Sequence, residues 1–249
     1  GEHAVQRRHG GNGMRARAYL IPAALVLAGV VIALCTRFSY RDIGTEYLDF
    51  NYAGNIDANF LNDENNKTQG IHSADDLLAR CDAAVLCTFT GKRQMTDEAM
   101  YQDMKVLEVL KGSESLKGTE ITLVNVASVW FEERSISSLF GVLPVFEGDT
   151  YLLLLQKLPF HEDRRLDGGL EKQYILLFES GFGMYNLSVE KQEKAMDEET
   201  LYSMKMKELE PYSFLTRQQE ALDQYNAFRD ELFAMLEEQG LDTYLPNEQ

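Results

Sequence analysis

The chain has 249 residues and a formal net charge of −16, from 24 basic and 40 acidic side chains. Residues 1–41 contain six Arg and one Glu, so the rest of the chain holds 18 basic and 39 acidic residues. Because an acidic surface repels phosphate backbones, the composition argues against a nucleic-acid-binding protein.

Residues 18–36, AYLIPAALVLAGVVIALCT, form a stretch of 19 positions without a charged side chain. A helix of this length is about long enough to cross a bilayer core of roughly 30 Å. Four arginines precede it, at positions 7, 8, 15 and 17. The positive-inside bias therefore predicts a single-pass membrane protein with a short cytoplasmic segment, residues 1–17, and the main domain outside the cell membrane.

Three features of this N-terminal region remain open. A cleaved signal peptide would also carry an arginine-rich start and an apolar run, but the end of the run, IALCTRF, lacks well-placed small residues for cleavage. Lipidation of Cys35 would require a small residue where Leu34 stands. Met14 could be the biological start.

Residues 37–72 are interpreted as a linker or stalk, because their Asn, Asp and Gly content comes without helical or strand periodicity. A folded region is predicted to begin at Ser73, which can cap a short helix together with Asp76 three residues later. The β-rich run 83–90 follows and predicts a first strand.

The stretch KVLEVLKGSESLKGTEITLVNV, residues 105–126, places Lys111-Gly112 and Lys117-Gly118 between two apolar runs, which is typical of consecutive strands. A helical face is the alternative for the first run, since four apolar residues share helical spacing: Met100, Met104, Leu107 and Leu110. Glu108 would mark a bulge or an outward position in the strand. EGDTYLLLLQKL and KQYILLFESGFGMYNLS predict buried strands further on, with Gly181 and Gly183 turning into a last one.

The order of these motifs, VLEVLKG, then GTEITLV, then EGDTYLLLL, resembles the netrin-like or tissue-inhibitor-of-metalloproteinase-like domains and related exported bacterial domains. The resemblance implies a five-stranded OB-type barrel over residues 73–188. The chain lacks the paired cysteines of the animal members, including the N-terminal Cys that such inhibitors place on a metalloproteinase zinc. The predicted fold class is thus α+β, an OB-like small β-barrel with C-terminal helices, preceded by one transmembrane helix.

The insertion SVWFEERSISSLFGVLPVF, residues 128–146, is longer and more aromatic than a strand connection requires. Trp130, Phe131 and Phe140 are therefore candidates for an interaction surface. The competing interpretation is that these side chains cover one end of the barrel, as large apolar residues usually do.

Residues 189–249 are predicted to be helical. Within residues 212–240, Phe214, Ala221, Phe228 and Met235 repeat every seven positions, offset by Tyr225 and Leu232. This apolar seam is expected to dock onto the barrel. Pairing with another helix, in a homodimer or with a membrane-complex partner, is the alternative. Its members Phe214, Tyr225, Phe228 and Leu232 complete the set of candidate interaction residues, and Gly240 is predicted to end the helix.

No recognisable catalytic arrangement is present, since the chain has no H-E-x-x-H, G-x-S-x-G or Walker motif. Cys81 and Cys87 are expected to be buried free thiols, and no catalytic, cofactor or metal residue is assigned. The function predicted is that of a membrane-anchored extracytoplasmic binding or interaction protein, such as an accessory subunit or envelope protein. An extracytoplasmic enzyme and an exported protease inhibitor are the alternatives.

Overall fold

The computed structural model describes residues 26–31, 46–55, 70–158 and 172–246. The chain divides into two units, residues 1–45 and 46–249. In the first unit, residues 26–31 form a short helix. Among the described residues, no helix has the length and apolar character needed to cross a membrane. Of the predicted span, residues 18–36, only residues 26–31 are among the described residues. Met14 and Cys35 also lie outside the described residues.

Eight β-strands lie in the described residues of the second unit. They are β1 (Asn51–Asn55), β2 (Ala83–Met95), β3 (Ala99–Lys111), β4 (Glu120–Trp130), β5 (Ser135–Leu139), β6 (Thr150–Lys157), β7 (Gln173–Leu176) and β8 (Met184–Asn186). The five strands β2, β3, β4, β6 and β7 close into a mixed barrel. Neighbouring pairs are antiparallel, and a parallel contact between β4 and β7, with Thr122 opposite Gln173, closes the ring. The chain therefore has an α+β fold built on a five-stranded barrel, which confirms the coarse fold prediction.

Two strands extend the barrel at one edge. β5 pairs antiparallel with the end of β4, and β1 pairs parallel with β5. β1 lies inside the predicted linker, residues 37–72, so part of that linker belongs to the folded unit. The reason is tertiary: Tyr52 is fully buried and its hydroxyl donates a hydrogen bond to the carbonyl of Val142. A partner 90 residues away leaves no local signal in an Asn- and Gly-rich segment.

Where the structure describes this unit, it has three α-helices: α1 (Ala74–Arg80), α2 (Glu198–Ser203) and α3 (Gln219–Glu238). The C-terminal region is less helical than predicted, because residues 189–210 contain only α2 and a short 3₁₀ helix, Met206–Leu209. Their backbone bonds elsewhere instead: the Tyr52 amide donates to Met204, and the Met206 amide donates to Phe50. α3 begins at Gln219, so Phe214 precedes the helix, and Gly240 ends it with a φ of +72°.

α3 docks onto the barrel through the apolar seam, as expected. Tyr225 lies at the centre of this contact, stacked between Phe214 and Tyr185 with ring centroids 4.3 and 4.9 Å away. Its hydroxyl donates to the carbonyl of Met184 at 3.0 Å. Phe228 and Leu232 are buried in the same cluster. The seam thus forms the interface between the helix and β6, β8 and the segment before β8.

The Lys-Gly pair at 111–112 joins α1 to the barrel. The Lys111 ammonium donates to the carbonyls of Leu78 at 2.5 Å, Ala79 at 3.2 Å and Cys81 at 2.7 Å, which satisfies acceptors at the end of α1. Gly112 has a φ of +110°, a conformation that side chains rarely adopt. The first Lys-Gly pair noted in the sequence therefore lies at the end of β3, where the lysine caps the C-terminal end of α1.

β3 is a strand, so the helical alternative for residues 100–110 is wrong. Its register against β2 skips Leu107 and Leu110, since Val106 faces Cys87, Glu108 faces Leu86, and Val109 faces Val85. Leu107 and Leu110 both pack against the hydrophobic cluster that contains Phe228 and Leu232 of α3, which we call the α3 cluster. Glu108 points outward and pairs with Lys117 at 2.5 Å. The register shifts at Leu107 and Leu110 are β-bulges, and they explain why the four apolar residues have a helix-like spacing.

Cys81 and Cys87 are buried free thiols, as predicted. Burial raises the pKa of both, so neither is a reactive thiolate at neutral pH.

The predicted capping box of α1 is confirmed. The Asp76 amide donates to Ser73 Oγ at 3.2 Å, and the Asp76 carboxylate accepts from the amides of His72 at 2.9 Å and Ser73 at 3.1 Å. These bonds, first that of His72, hold the pKa of Asp76 below its usual range.

We expect Asp76→Asn to lower stability at pH 7, with a deficit that shrinks as the pH falls below about 4. A carboxylate whose folded-state pKa is depressed stabilises the fold above its unfolded pKa, and that contribution is lost as pH falls through the folded pKa. Urea unfolding at pH 7 and pH 3 measures the effect. Asp75→Asn is the control, because it removes the same charge without changing the capping box. A deficit independent of pH would contradict the role of the ionised carboxylate.

Candidate interaction surface

The end of β4 projects three large apolar side chains from the barrel. Alternate residues at 127 and 129 are buried, while those at 126, 128 and 130 face solvent. Val126 is 40% exposed, Trp130 is 46% exposed and Phe131, in the turn that follows, is 39% exposed. We call these three residues the aromatic surface. Exposed Trp and Phe side chains are enriched in protein interfaces.

The base of the aromatic surface is held by residues that precede and form β1. Phe131 packs edge-on against the buried Phe50, with ring centroids 6.5 Å apart. The Arg134 guanidinium lies over the Phe50 ring, 5.7 Å from its centroid. The Asn51 amide donates to the Arg134 carbonyl at 2.9 Å. The turn between β4 and β5 is thereby fixed to the rest of the unit.

Four exposed acidic residues border the aromatic surface. The turn between β2 and β3 runs beside β4, because the Val129 amide donates to the Asp97 carbonyl at 3.0 Å and the Ala127 amide donates to the Glu98 carbonyl at 3.1 Å. Glu132 and Glu133 follow Phe131 directly. An aromatic centre with an acidic border suits a partner that is apolar at its centre and basic around it.

Beneath this hairpin, polar side chains close one end of the barrel. The Arg93 guanidinium lies over the rings of Tyr47 and Phe89, at 4.9 and 4.8 Å. Its Nε donates to the Oε1 atom of Gln102 at 3.0 Å, and the same oxygen accepts from the Val145 amide at 3.1 Å. These bonds anchor residues 142–146 across the barrel end. The arrangement is structural, since Gln102 accepts from the Val145 amide and Arg93 donates to the Val145 carbonyl.

Two buried tyrosines complete this polar end. The Tyr52 hydroxyl donates to the Val142 carbonyl, and the Tyr151 hydroxyl accepts from the Phe146 amide at 2.8 Å and donates to Asp149 at 3.1 Å. Burial raises the pKa of both hydroxyls above the ordinary value of tyrosine. They therefore remain protonated at neutral pH and do not serve as bases.

The structure separates the seven sequence-predicted interaction residues into two groups. Trp130 and Phe131 lie side by side and exposed. The other five pack within the chain: Phe140 is half-buried against the α3 cluster, and Phe214, Tyr225, Phe228 and Leu232 are buried inside it. A partner of α3 would thus have to contact the opposite face of the helix.

Sequence reasoning missed a groove beside α3. It has a volume of about 690 Å³ and is lined by Ser188, Glu190, Lys191, Arg229, Asp230, Phe233, Ala234, Glu237, Leu245 and Pro246. Its floor includes Arg229. In the sequence, Arg229 stands among many charged residues of a helix and gives no sign that it is buried. Only the packing of residues 188–191 against α3 reveals that this guanidinium is buried. Across the described ranges, no group of three or more His, Cys, Asp or Glu residues is arranged to hold a metal.

In comparisons with known proteins, no protein-family model and no curated protein matches the chain.

Proposed function

We propose that the protein is a membrane-anchored binding protein whose barrel lies outside the cell membrane and contacts a protein partner through the aromatic surface. The anchor in this proposal is the apolar stretch 18–36, with the N-terminus in the cytoplasm. The observation that carries the proposal is the joint exposure of Trp130 and Phe131 on a hairpin whose base is fixed. Such rigid aromatic side chains act as interface anchors because they lose little conformational freedom on binding.

The barrel itself supports an OB-type, netrin-like assignment. Taken in chain order, its strands pair first with second, second with third, third with fifth, fifth with fourth and fourth with first. Barrels of the OB type commonly bind ligands through their loops and one face. In this chain the hairpin inserted between the third and fourth barrel strands would provide the binding loop.

The partner is expected to be a protein with basic residues around an apolar centre. Asp97 and Glu98 lie beside β4, and Glu132 and Glu133 follow Phe131, so a basic rim would be attracted and an acidic one repelled. An extracytoplasmic enzyme and an exported protease inhibitor are the alternatives to this proposal.

The double change Trp130→Ala with Phe131→Ala is expected to reduce partner capture by about tenfold or more, because truncating buried interface aromatics typically costs over 1.4 kcal/mol of binding free energy. The measurement is affinity capture with the tagged full chain from solubilised membranes of its own host, read by quantitative mass spectrometry.

Tyr202→Ala is the matched control, since Tyr202 is a similarly exposed aromatic residue on α2. It should leave capture unchanged. Equal amounts of the same proteins captured by the double variant and the unchanged chain would contradict the proposal. Urea unfolding of each variant, with a cooperative transition, verifies that the fold is intact.

A further inference from the structure

The groove beside α3 contains a buried cation with few partners. Arg229 is 5% exposed, and its Nη2 donates to the Val189 carbonyl at 2.9 Å. Its Nε is buried without an acceptor. Within the described part of the chain, the Arg229 guanidinium forms no ion pair with a carboxylate. A buried guanidinium with unused donors is costly, and such groups in proteins commonly face a water, an ion or a ligand.

The aromatic neighbour of this cation restricts its orientation. The guanidinium stacks over the Phe233 ring, 4.3 Å from the centroid. Stacking on a ring leaves the N–H groups of a guanidinium available for in-plane hydrogen bonds, and Nε is the Arg229 donor that has no acceptor; in-plane guanidinium N–H groups match the geometry of a carboxylate. The floor of the groove is thereby prepared for a planar anion.

The walls of the groove differ in character. Phe233, Ala234, Leu245 and Pro246 make one side apolar. On the other side, Lys191 forms an ion pair with Asp230, which leaves the exposed carboxylates of Glu190 and Glu237 at the rim. An anion would thus meet a cationic floor, while a positive group on the same ligand would meet the acidic rim.

We propose that this groove binds the carboxylate of a zwitterionic, apolar amino acid, either free or at the end of a peptide. The carboxylate lies against Arg229, the apolar side chain against Phe233 and Leu245, and the ammonium group toward Glu190 and Glu237. A phosphate dianion is disfavoured because those two carboxylates would repel it. The volume of about 690 Å³ is within the range of small-ligand sites. This site is separate from the aromatic surface and does not depend on its function.

The test is isothermal titration calorimetry of the full chain in detergent micelles with three probes: the peptide Ala-Leu-Leu, the same peptide with a C-terminal amide, and free leucine. Ala-Leu-Leu or free leucine should bind, and the amide should bind about tenfold more weakly or not at all. Tighter binding of the peptide identifies a peptide terminus as the source, and tighter binding of leucine identifies the free amino acid.

Two substitutions on one helix locate the site. Ala234→Asp places a carboxylate in the apolar wall and is expected to weaken binding by about tenfold, since it would repel the bound carboxylate. Ala227→Asp is the matched control, because Ala227 is also exposed on α3 but does not line the groove. Both sites are exposed, so both variants should fold. Arg229→Gln should abolish binding, with its fold verified by circular dichroism.

Three outcomes with the peptides, leucine and the Asp variants would each overturn the proposal. They are equal binding of the amide and the free carboxylate, equal effects of the two Asp substitutions, and absence of binding by every probe at millimolar concentration. Inorganic phosphate is added as a fourth probe, and a tighter interaction with phosphate than with Ala-Leu-Leu would also reject the zwitterion.

Discussion

Replacing Tyr225 by Ala is expected to lower the free energy of unfolding by about 3–5 kcal/mol. Tyr225 is fully buried, and its ring stacks between Phe214 and Tyr185. Removing the ring leaves a cavity at the centre of the helix–barrel interface, and removing the hydroxyl leaves the Met184 carbonyl without its donor. Urea denaturation followed by circular dichroism measures the loss.

Two further substitutions separate the causes of this loss of stability. Tyr225→Phe retains the ring and should cost only about 1 kcal/mol, the usual value of one hydrogen bond. Glu220→Ala, at an exposed position in the first turn of α3, should change stability by less than about 0.5 kcal/mol. If Tyr225→Ala cost no more than Glu220→Ala, the docked seam would be incorrect, and the alternative of a seam that pairs with another helix would be favoured.

The second large effect is expected from Gly183→Ala, which should destabilise the protein by about 3 kcal/mol through overpacking. A Cβ atom at this position would lie 2.7 Å from the Leu177 amide nitrogen, 3.1 Å from the Leu154 carbonyl oxygen and 3.1 Å from the Leu176 Cβ. Two of these are backbone atoms beside or within strands β6 and β7, so relief would require the sheet to move. The same denaturation experiment measures the effect.

Gly118→Ala is the matched control for this prediction. Nothing lies within 4 Å of a Cβ at Gly118, but its φ of +73° disfavours any side chain, so the cost should be about 1 kcal/mol. A larger loss at Gly118 than at Gly183 would show that backbone conformation, and not close packing, governs these glycines.

The sequence predicted most of the barrel because its signals are local. Continuous apolar runs located β4 and β6, Ser73 and Asp76 located the start of α1, and Gly240 located the end of α3. β3 was ambiguous by periodicity, since two bulges placed its leucines at helical spacing. The helical content of residues 189–210 was overestimated, because this segment donates a hydrogen bond to Phe50 and accepts one from Tyr52 in place of those of a helix.

The candidate surfaces were predictable only in part. Trp130 and Phe131 were identified from the length and aromatic content of the insertion, but their exposure depends on β5 and β1 extending β4 beyond the barrel. The acidic border from Asp97 and Glu98 had no sequence signal, because it comes from a turn brought beside β4 by strand pairing. Arg229 was missed for the same kind of reason, since its burial depends on residues 188–191.

The sequence alone determined the apolar stretch at 18–36, the acidic character of the remaining chain, most of the barrel strands and the apolar seam of α3, because each depends on neighbouring residues. The tertiary structure decided which apolar residues are covered and which are exposed. Phe214 and Trp130 are both large aromatic residues with an apolar neighbour in sequence, yet one is buried under α3 and the other faces solvent. That difference arises from contacts between residues far apart in the chain, where burial is decided by pairing and packing and not by the local pattern.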